Sequence, residues 1–152
     1  MIKVKRIDHV AIAVGDRDAA TQQLATLFGL CEGIREFVPT QKTDVAFLHA
    51  GDAPSDGHAT ESTAIEIIAP NADSGNEGLQ RFLDRRGPGL HHICFEVDDL
   101  SEALATLKAA GVRLIDETPR PGARGHLVAF LHPASTGGVL FELCSSPHGA
   151  QA

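Results

Sequence analysis

Two histidines and two glutamates stand in matched places along this chain, and together they suit a divalent transition ion. His9 lies in Ile7-Asp8-His9-Val10-Ala11-Ile12-Ala13-Val14, and His92 lies in Leu90-His91-His92-Ile93-Cys94-Phe95-Glu96-Val97, segments that superpose at an offset of 83 residues. Glu66 is flanked by Ile65 and Ile67, and Glu142 by Phe141 and Leu143, so each is the lone carboxylate of an apolar run. Neutral imidazole and carboxylate are donors that Co, Ni, Mn, Fe or Zn accept, and six-coordinate geometry leaves two positions for water or substrate. Burying such carboxylates without a cation is costly. Taken singly, each residue reads as a hydrogen-bonded core histidine or a strand-end acid; the duplicated pair favours the ion.

The same offset of 83 lays Asp16 on Asp99, Leu24 on Leu107, and Val45-Ala46-Phe47-Leu48-His49 on the identical Val128-Ala129-Phe130-Leu131-His132. Two copies of one unit are implied. Each opens with period-two alternation and passes to helical spacing. Asp16 caps the first expected helix, with Leu24, Leu27 and Phe28 as its apolar stripe and Gly29 as its stop; Asp99 and Glu102 form a capping box for the second, with Leu100, Leu104 and Leu107 and a stop at Gly111. Three β-like runs follow each helix, at 31–37, 44–49 and 63–68, then at 112–117, 126–132 and 138–144. The expected fold class is α+β, two paired β-α-β-β-β modules forming a curved, partly open sheet around the metal site. It occupies one domain, 1–152, with module 1 about 5–70, a connector about 71–87 carrying a short helix at 78–86, and module 2 about 88–145. A polar loop is expected at 51–62 and a frayed end at 145–152.

Alternation assigns faces. Val10, Ile12 and Val14 should pack on helices while His9, Ala11 and Ala13 face the other way; Ile93, Phe95 and Val97, with His91, oppose His92, Cys94 and Glu96. The small residues beside both histidines leave room for a ligand.

The chain has 152 residues with 43% apolar and 22% charged, ordinary values for a globular domain with a core of its own. A net charge of −7 and the absence of Trp and Tyr argue against a nucleic-acid partner. No apolar stretch is long enough to span a membrane, and Cys31, Cys94 and Cys144 lack disulfide-framework or zinc-site spacing. A reducing cytoplasm is the expected location.

On these residues the sequence resembles the vicinal oxygen chelate superfamily (glyoxalase/bleomycin resistance/dioxygenase), and within it the methylmalonyl-CoA epimerases. The resemblance is carried by the two histidine segments, by Gly111-Val112-Arg113-Leu114-Ile115-Asp116-Glu117, and most specifically by Phe130-Leu131-His132-Pro133-Ala134-Ser135-Thr136-Gly137-Gly138-Val139-Leu140-Phe141-Glu142-Leu143. It implies metal ligation by His9, Glu66, His92 and Glu142, and proton transfer by Glu142. The reaction implied is epimerisation of an acyl-CoA by α-proton abstraction through a metal-stabilised enediolate, and the assembly implied is a homodimer. Glu66 departs from the Gln common in epimerases and matches glyoxalase I; Ala134 stands where Lys is common. A second acid/base Glu of the family falls on Ala46, leaving that role unfilled. Asp44, on the strand face of Ala46, is the first candidate to replace it, and His49, which faces oppositely, ranks lower.

The loop Ser135, Thr136, Gly137 and Gly138 offers backbone groups to a carboxylate or thioester, and Arg120 and Arg124 offer charge to coenzyme A phosphates. The competing functions are a glyoxalase I type isomerase (lactoylglutathione lyase) and a metal-free small-molecule-binding module of the same fold. An extradiol dioxygenase is disfavoured, because a fourth protein ligand leaves less room for catechol and oxygen.

Overall fold

Strand β1 (Val4–Ala13) leads to Asp16, whose carboxylate accepts the Ala19 N–H at 3.0 Å and caps helix α1 (Arg17–Phe28). Gly29 stops the helix at φ 64°, a left-handed conformation that glycine adopts without a Cβ clash. Then come β2 (Cys31–Val38), β3 (Thr43–His49) and β4 (Ala64–Pro70). The connector holds α2 (Glu77–Arg86), capped by Asn76. The second copy runs through β5 (Gly89–Val97), α3 (Leu100–Ala109) capped by Asp99, β6 (Arg120–Pro121), β7 (Leu127–Leu131) and β8 (Phe141–Ser145). The α+β class and the twice-repeated β-α-β-β-β order are therefore observed. This computed structural model describes residues 1–52 and 62–147. Most of the expected polar loop at 51–62, and 148–152 of the expected frayed end, lie outside them.

The chain divides into two units, His9–His91 and Met1–Asp8 with His92–Ala152. In His9–His91 the strand order is β2-β3-β4-β1, antiparallel except for the parallel β4·β1 pair. One sheet face packs Ile12, Val14, Ala46, Leu48, Ile65, Ile67 and Ala69 against Ala20, Leu24 and Ala25 of α1. Leu48 and Ile67 are fully buried, each worth about 2 kcal/mol of transfer free energy. Leu27 and Phe28 do not complete that stripe: they are 65% and 69% exposed, because the residues that meet the sheet belong to the preceding turns of the helix.

In the other unit the order is β5-β8-β7-β6, with β5·β8 parallel. Phe95, Val97, Ala129, Leu131, Phe141 and Leu143 pack on Leu100, Ala103, Leu104 and Leu107 of α3. The strand expected at 112–117 is not formed. Only Leu114 bridges to Leu131, both Ile115 N–H and Asp116 N–H donate to the Phe130 carbonyl, and the Asp116 carboxylate accepts the Phe130 N–H at 2.8 Å. Two residues opposing one, and a side chain replacing a main-chain acceptor, interrupt the ladder as a bulge does. Regular pairing resumes only at Arg120 and Pro121. The last strand begins at Phe141 rather than 138, since Gly138 has φ 89°, and it includes the buried Ser145. Among the described residues no helix is long and apolar enough to cross a membrane.

Candidate functional site

In the unit His9–His91, β1 and β4 run parallel with His9 level with Ala64 and Ala11 level with Glu66. Alternation puts His9, Ala11, Ala64 and Glu66 on the face turned away from α1. His9 Nε2 lies 3.2 Å from Glu66 Oε2, with side chains 5% and 8% exposed. Phe47 stands opposite Glu66 across the β3·β4 ladder and presents its ring edge-on to His9, centroids 5.8 Å apart and planes at 83°.

The unit containing His92 repeats this arrangement. Cys94 is level with Glu142 in β5·β8, and His92 Nε2 lies 3.8 Å from Glu142 Oε2, both side chains buried. Phe130 stands opposite Glu142 and meets His92 edge-on at 5.1 Å and 87°. The identical pentapeptides thus place their phenylalanines beside a histidine and a glutamate in both copies. Each pair joins an imidazole nitrogen to a carboxylate oxygen in a buried, largely apolar setting, where an unpaired carboxylate is costly. That donor chemistry fits a divalent transition ion.

Other expected site residues are placed differently. Asp44 accepts from Asn71 Nδ2 at 3.0 and 3.2 Å, and Ala46 is packed in the α1-side cluster with Leu48 and Ile67. Both therefore lie on the sheet face opposite His9 and Glu66, and Asp44 is not brought to them. The β3 residues that do share their face are Thr43, Val45, Phe47 and the buried His49. Ser135 Oγ accepts the Arg113 N–H at 2.9 Å, and Thr136 Oγ1 donates to Val139 O at 2.6 Å, so both hydroxyls shape their own loop. Gly137 and Gly138, at φ 71° and 89°, complete the turn.

Arg120 Nε lies 3.2 Å from Asp116 Oδ1, and its guanidinium sits 5.7 Å above the Phe130 ring centroid, which places it beside the aromatic neighbour of His92. Arg124, expected at a phosphate, is instead turned inward onto Asp8. A fully buried carboxylate is the stronger claim on a guanidinium.

The Asp8 network was not anticipated from the sequence. Its carboxylate, 0% exposed, is held by Arg124 and by Arg6 Nη2 at 2.7 Å, while Arg6 Nε and Lys5 Nζ reach Glu96 at 2.6 and 3.3 Å. The available signal was Asp8 and Glu96 as charged residues within apolar strands. Burial pushes the Cys94 thiol well above its ordinary range, reinforced by the neighbouring Cys144 thiol and the Glu142 and Asp8 carboxylates. Burial likewise lowers His91, whose ring stacks edge-on against Phe82 of α2 at 4.9 Å.

Residues 8–130 match the sequence profile of the Glyoxalase/Bleomycin resistance protein/Dioxygenase superfamily. The chain is 41% identical over 149 residues to the Bacillus subtilis protein YqjC, covering 97% of this chain and 96% of that one. It is 37% identical over 143 residues to the mitochondrial methylmalonyl-CoA epimerase of Dictyostelium discoideum, covering 93% and 79%. A variant of the Streptomyces coelicolor methylmalonyl-CoA epimerase, in complex with 2-nitronate-propionyl-CoA, has a structure similar to this one at TM-score 0.83 and 32% identity, covering 95% and 96%.

Proposed function

Because the chain belongs to the glyoxalase/bleomycin resistance/dioxygenase superfamily, we propose that it is a metal-dependent isomerase that epimerises methylmalonyl-CoA. The carrying observation is the duplicated His–Glu–Phe arrangement, found in a chain similar over more than nine-tenths of its length to methylmalonyl-CoA epimerases. His9, Glu66, His92 and Glu142 would hold one divalent ion. When bound, that ion supplies positive charge to the carboxylate and thioester oxygens and so acidifies the α-carbon.

The chain's own groups do the rest. Glu142 Oε moves a proton to or from the α-carbon. Phe47 and Phe130 exclude water from the two carboxylates and fix the histidine rings. Gly137 and Gly138 allow the substrate close to the backbone after β7. Arg120, seated on Phe130, meets the charged part of coenzyme A. We extend the proposal to a cytoplasmic homodimer, as the family likeness implies.

Glu66 in place of the Gln common among epimerases supports a second reading, a glyoxalase I type isomerase, which needs the same ligands and also shuttles a proton. Metal-replete protein incubated with one epimer of methylmalonyl-CoA, then with a glutathione hemithioacetal, separates them by chiral analysis and product assay. Interconversion of the acyl-CoA epimers is expected. Conversion of the hemithioacetal alone would overturn the epimerase reading.

A further inference from the structure

The main chain of Phe130 bonds on the side away from Glu142, which brings their side chains together. The Phe130 N–H donates to Asp116 Oδ2 at 2.8 Å, and the Phe130 carbonyl accepts the Ile115 and Asp116 N–H groups at 2.9 and 3.1 Å. In an antiparallel ladder a residue directs both main-chain groups to one side, so Phe130 and Glu142 form a non-hydrogen-bonded pair, the kind whose side chains come nearest. We propose that Asp116 is a positioning residue of the candidate metal site: by clamping Phe130 it fixes the imidazole of His92 beside Glu142. The proposal rests on the reading of His92 and Glu142 as metal ligands, and every residue in it belongs to the unit that contains His92.

The same carboxylate also holds the Phe130 ring. Asp116 Oδ1 lies 3.2 Å from Arg120 Nε, and the Arg120 guanidinium lies 5.7 Å over the ring centroid, within the range of a cation–π attraction. Arg120 is level with Val128 in β6·β7, and Val128 clusters with Cys94 and Cys144, which alternation sets on the face of His92 and Glu142. Phe130 is thereby held at its main chain and at its ring, and its contact with His92, centroids 5.1 Å apart and planes at 87°, follows from that hold. The side chains of Asp116 and Arg120 are 18% and 30% exposed and those of His92 and Glu142 only 4% and 5%, so the clamp stands on the more open side of the buried pair.

The repeat shows what the bulge alone requires. Phe47 is the counterpart of Phe130, and Gly33 and Ile34 stand opposite it, between the pairs Glu32–Leu48 and Arg35–Ala46. The offset of 83 puts Gly33 at the place of Asp116 and Phe37 at that of Arg120. A residue without a side chain therefore suffices to interrupt the ladder, and a Cβ there would come within 2.9 Å of His49 Nε2. The carboxylate and guanidinium of the second copy are additions to the bulge, and what they add is a hold on the phenylalanine of the His92–Glu142 pair.

The test compares wild type, Asp116→Ala and Asp116→Asn in two measurements. Asparagine keeps a carbonyl oxygen for the Phe130 N–H, whereas alanine removes it. In metal-free protein the imidazole NMR signals of His92 should broaden or split in Asp116→Ala while those of His9 stay as in wild type, since only one copy has lost its clamp. In reconstituted protein, cobalt(II) affinity by chelator competition should fall about 10-fold in Asp116→Ala and stay within about 2-fold of wild type in Asp116→Asn. Asp116→Gly, which copies the first module, replaces the alanine variant with the same expectations should that variant not fold. A protein without the Asp116 carboxylate that melts at a lower temperature but keeps wild-type affinity and wild-type His92 signals makes Asp116 a loop residue only and overturns the proposal. An equal fall in Asp116→Asn and Asp116→Ala overturns it too, because the effect then comes from the charge and not from the hold on Phe130. Wild type that binds no stoichiometric cobalt(II) sinks the ligand reading, and the proposal with it, whatever the His92 signals show.

Discussion

Phe47 meets His9 edge-on, ring centroids 5.8 Å apart, while standing directly across the β-ladder from Glu66. The positive edge of one ring against the π-face of another is worth about 0.5 to 1.5 kcal/mol beyond burial, and here it also fixes the imidazole orientation. Phe130 does the same for His92 and Glu142. Phe130→Leu keeps the volume nearly constant but removes the edge contact. Its metal affinity in chelator competition should fall about 10-fold, as when an outer support of a ligand is lost. Unchanged affinity would show that the phenylalanines serve packing alone.

On the proposed ligation by His9, Glu66, His92 and Glu142, about one divalent ion per chain is expected after reconstitution. His92→Ala should abolish stoichiometric binding by elemental analysis. His91→Ala should retain it, because His91 faces Phe82 of α2. The reverse result would overturn the assignment of faces on β5.

Much of this arrangement was legible in the sequence because the repeat made it so. A shared offset of 83 selected His92 over His91, aligned the two pentapeptides and located both capping aspartates, and alternation did the rest. The failures have local physical causes. The run at 112–117 has strand composition, but Asp116 spends its side chain on a main-chain donor, which no periodicity records. Leu27 and Phe28 continue the helical stripe past the residues that the sheet covers. The sequence likeness sets the missing acid at Ala46 and so favours Asp44 as its substitute, whereas one residue of register on a strand exchanges the faces. Asp8 and Arg124 are 116 residues apart in sequence, and nothing local links them.

That buried pair should govern stability rather than ligand binding. Removing one partner leaves the other charge desolvated, so Arg124→Ala should cost about 3 to 5 kcal/mol in denaturant unfolding. The Arg120→Ala substitution, at a half-buried pair, should cost less than about 1 kcal/mol. Equal effects would mean that the interior position of Arg124 carries no special weight.

Cys94 and Cys144 should resist thiol reagents in the folded protein while half-buried Cys31 reacts, and all three should react in denaturant. The raised Cys94 group also sets a sign for pH. Its contribution is fully present below the ordinary thiol value of 9.0 and declines above it, as the unfolded chain ionises first. Cys94→Ala should flatten that alkaline decline in melting measurements. An equally steep decline in the variant would assign it to other groups.

Installing a carboxylate at Ala46 tests the face assignment of β3 itself. Ala46 is 1% exposed and packs with Leu48, Ile67 and Ala69 on the side of α1, so Ala46→Glu would drive a charged and larger side chain into an apolar cluster. Overpacking and an unpaired buried charge both act against it, and a loss of several kcal/mol is expected, with no gain in epimerisation. Asp44→Asn, on the same face, should cost about 1 kcal/mol through its bonds to Asn71 and leave the metal content unchanged. Val45→Glu is the informative counterpart, because alternation turns that position toward the face of His9 and Glu66. If Ala46→Glu folds normally and raises turnover while Val45→Glu does not, the strand faces have been read the wrong way round. His49 would then share the face of α1 rather than that of His9.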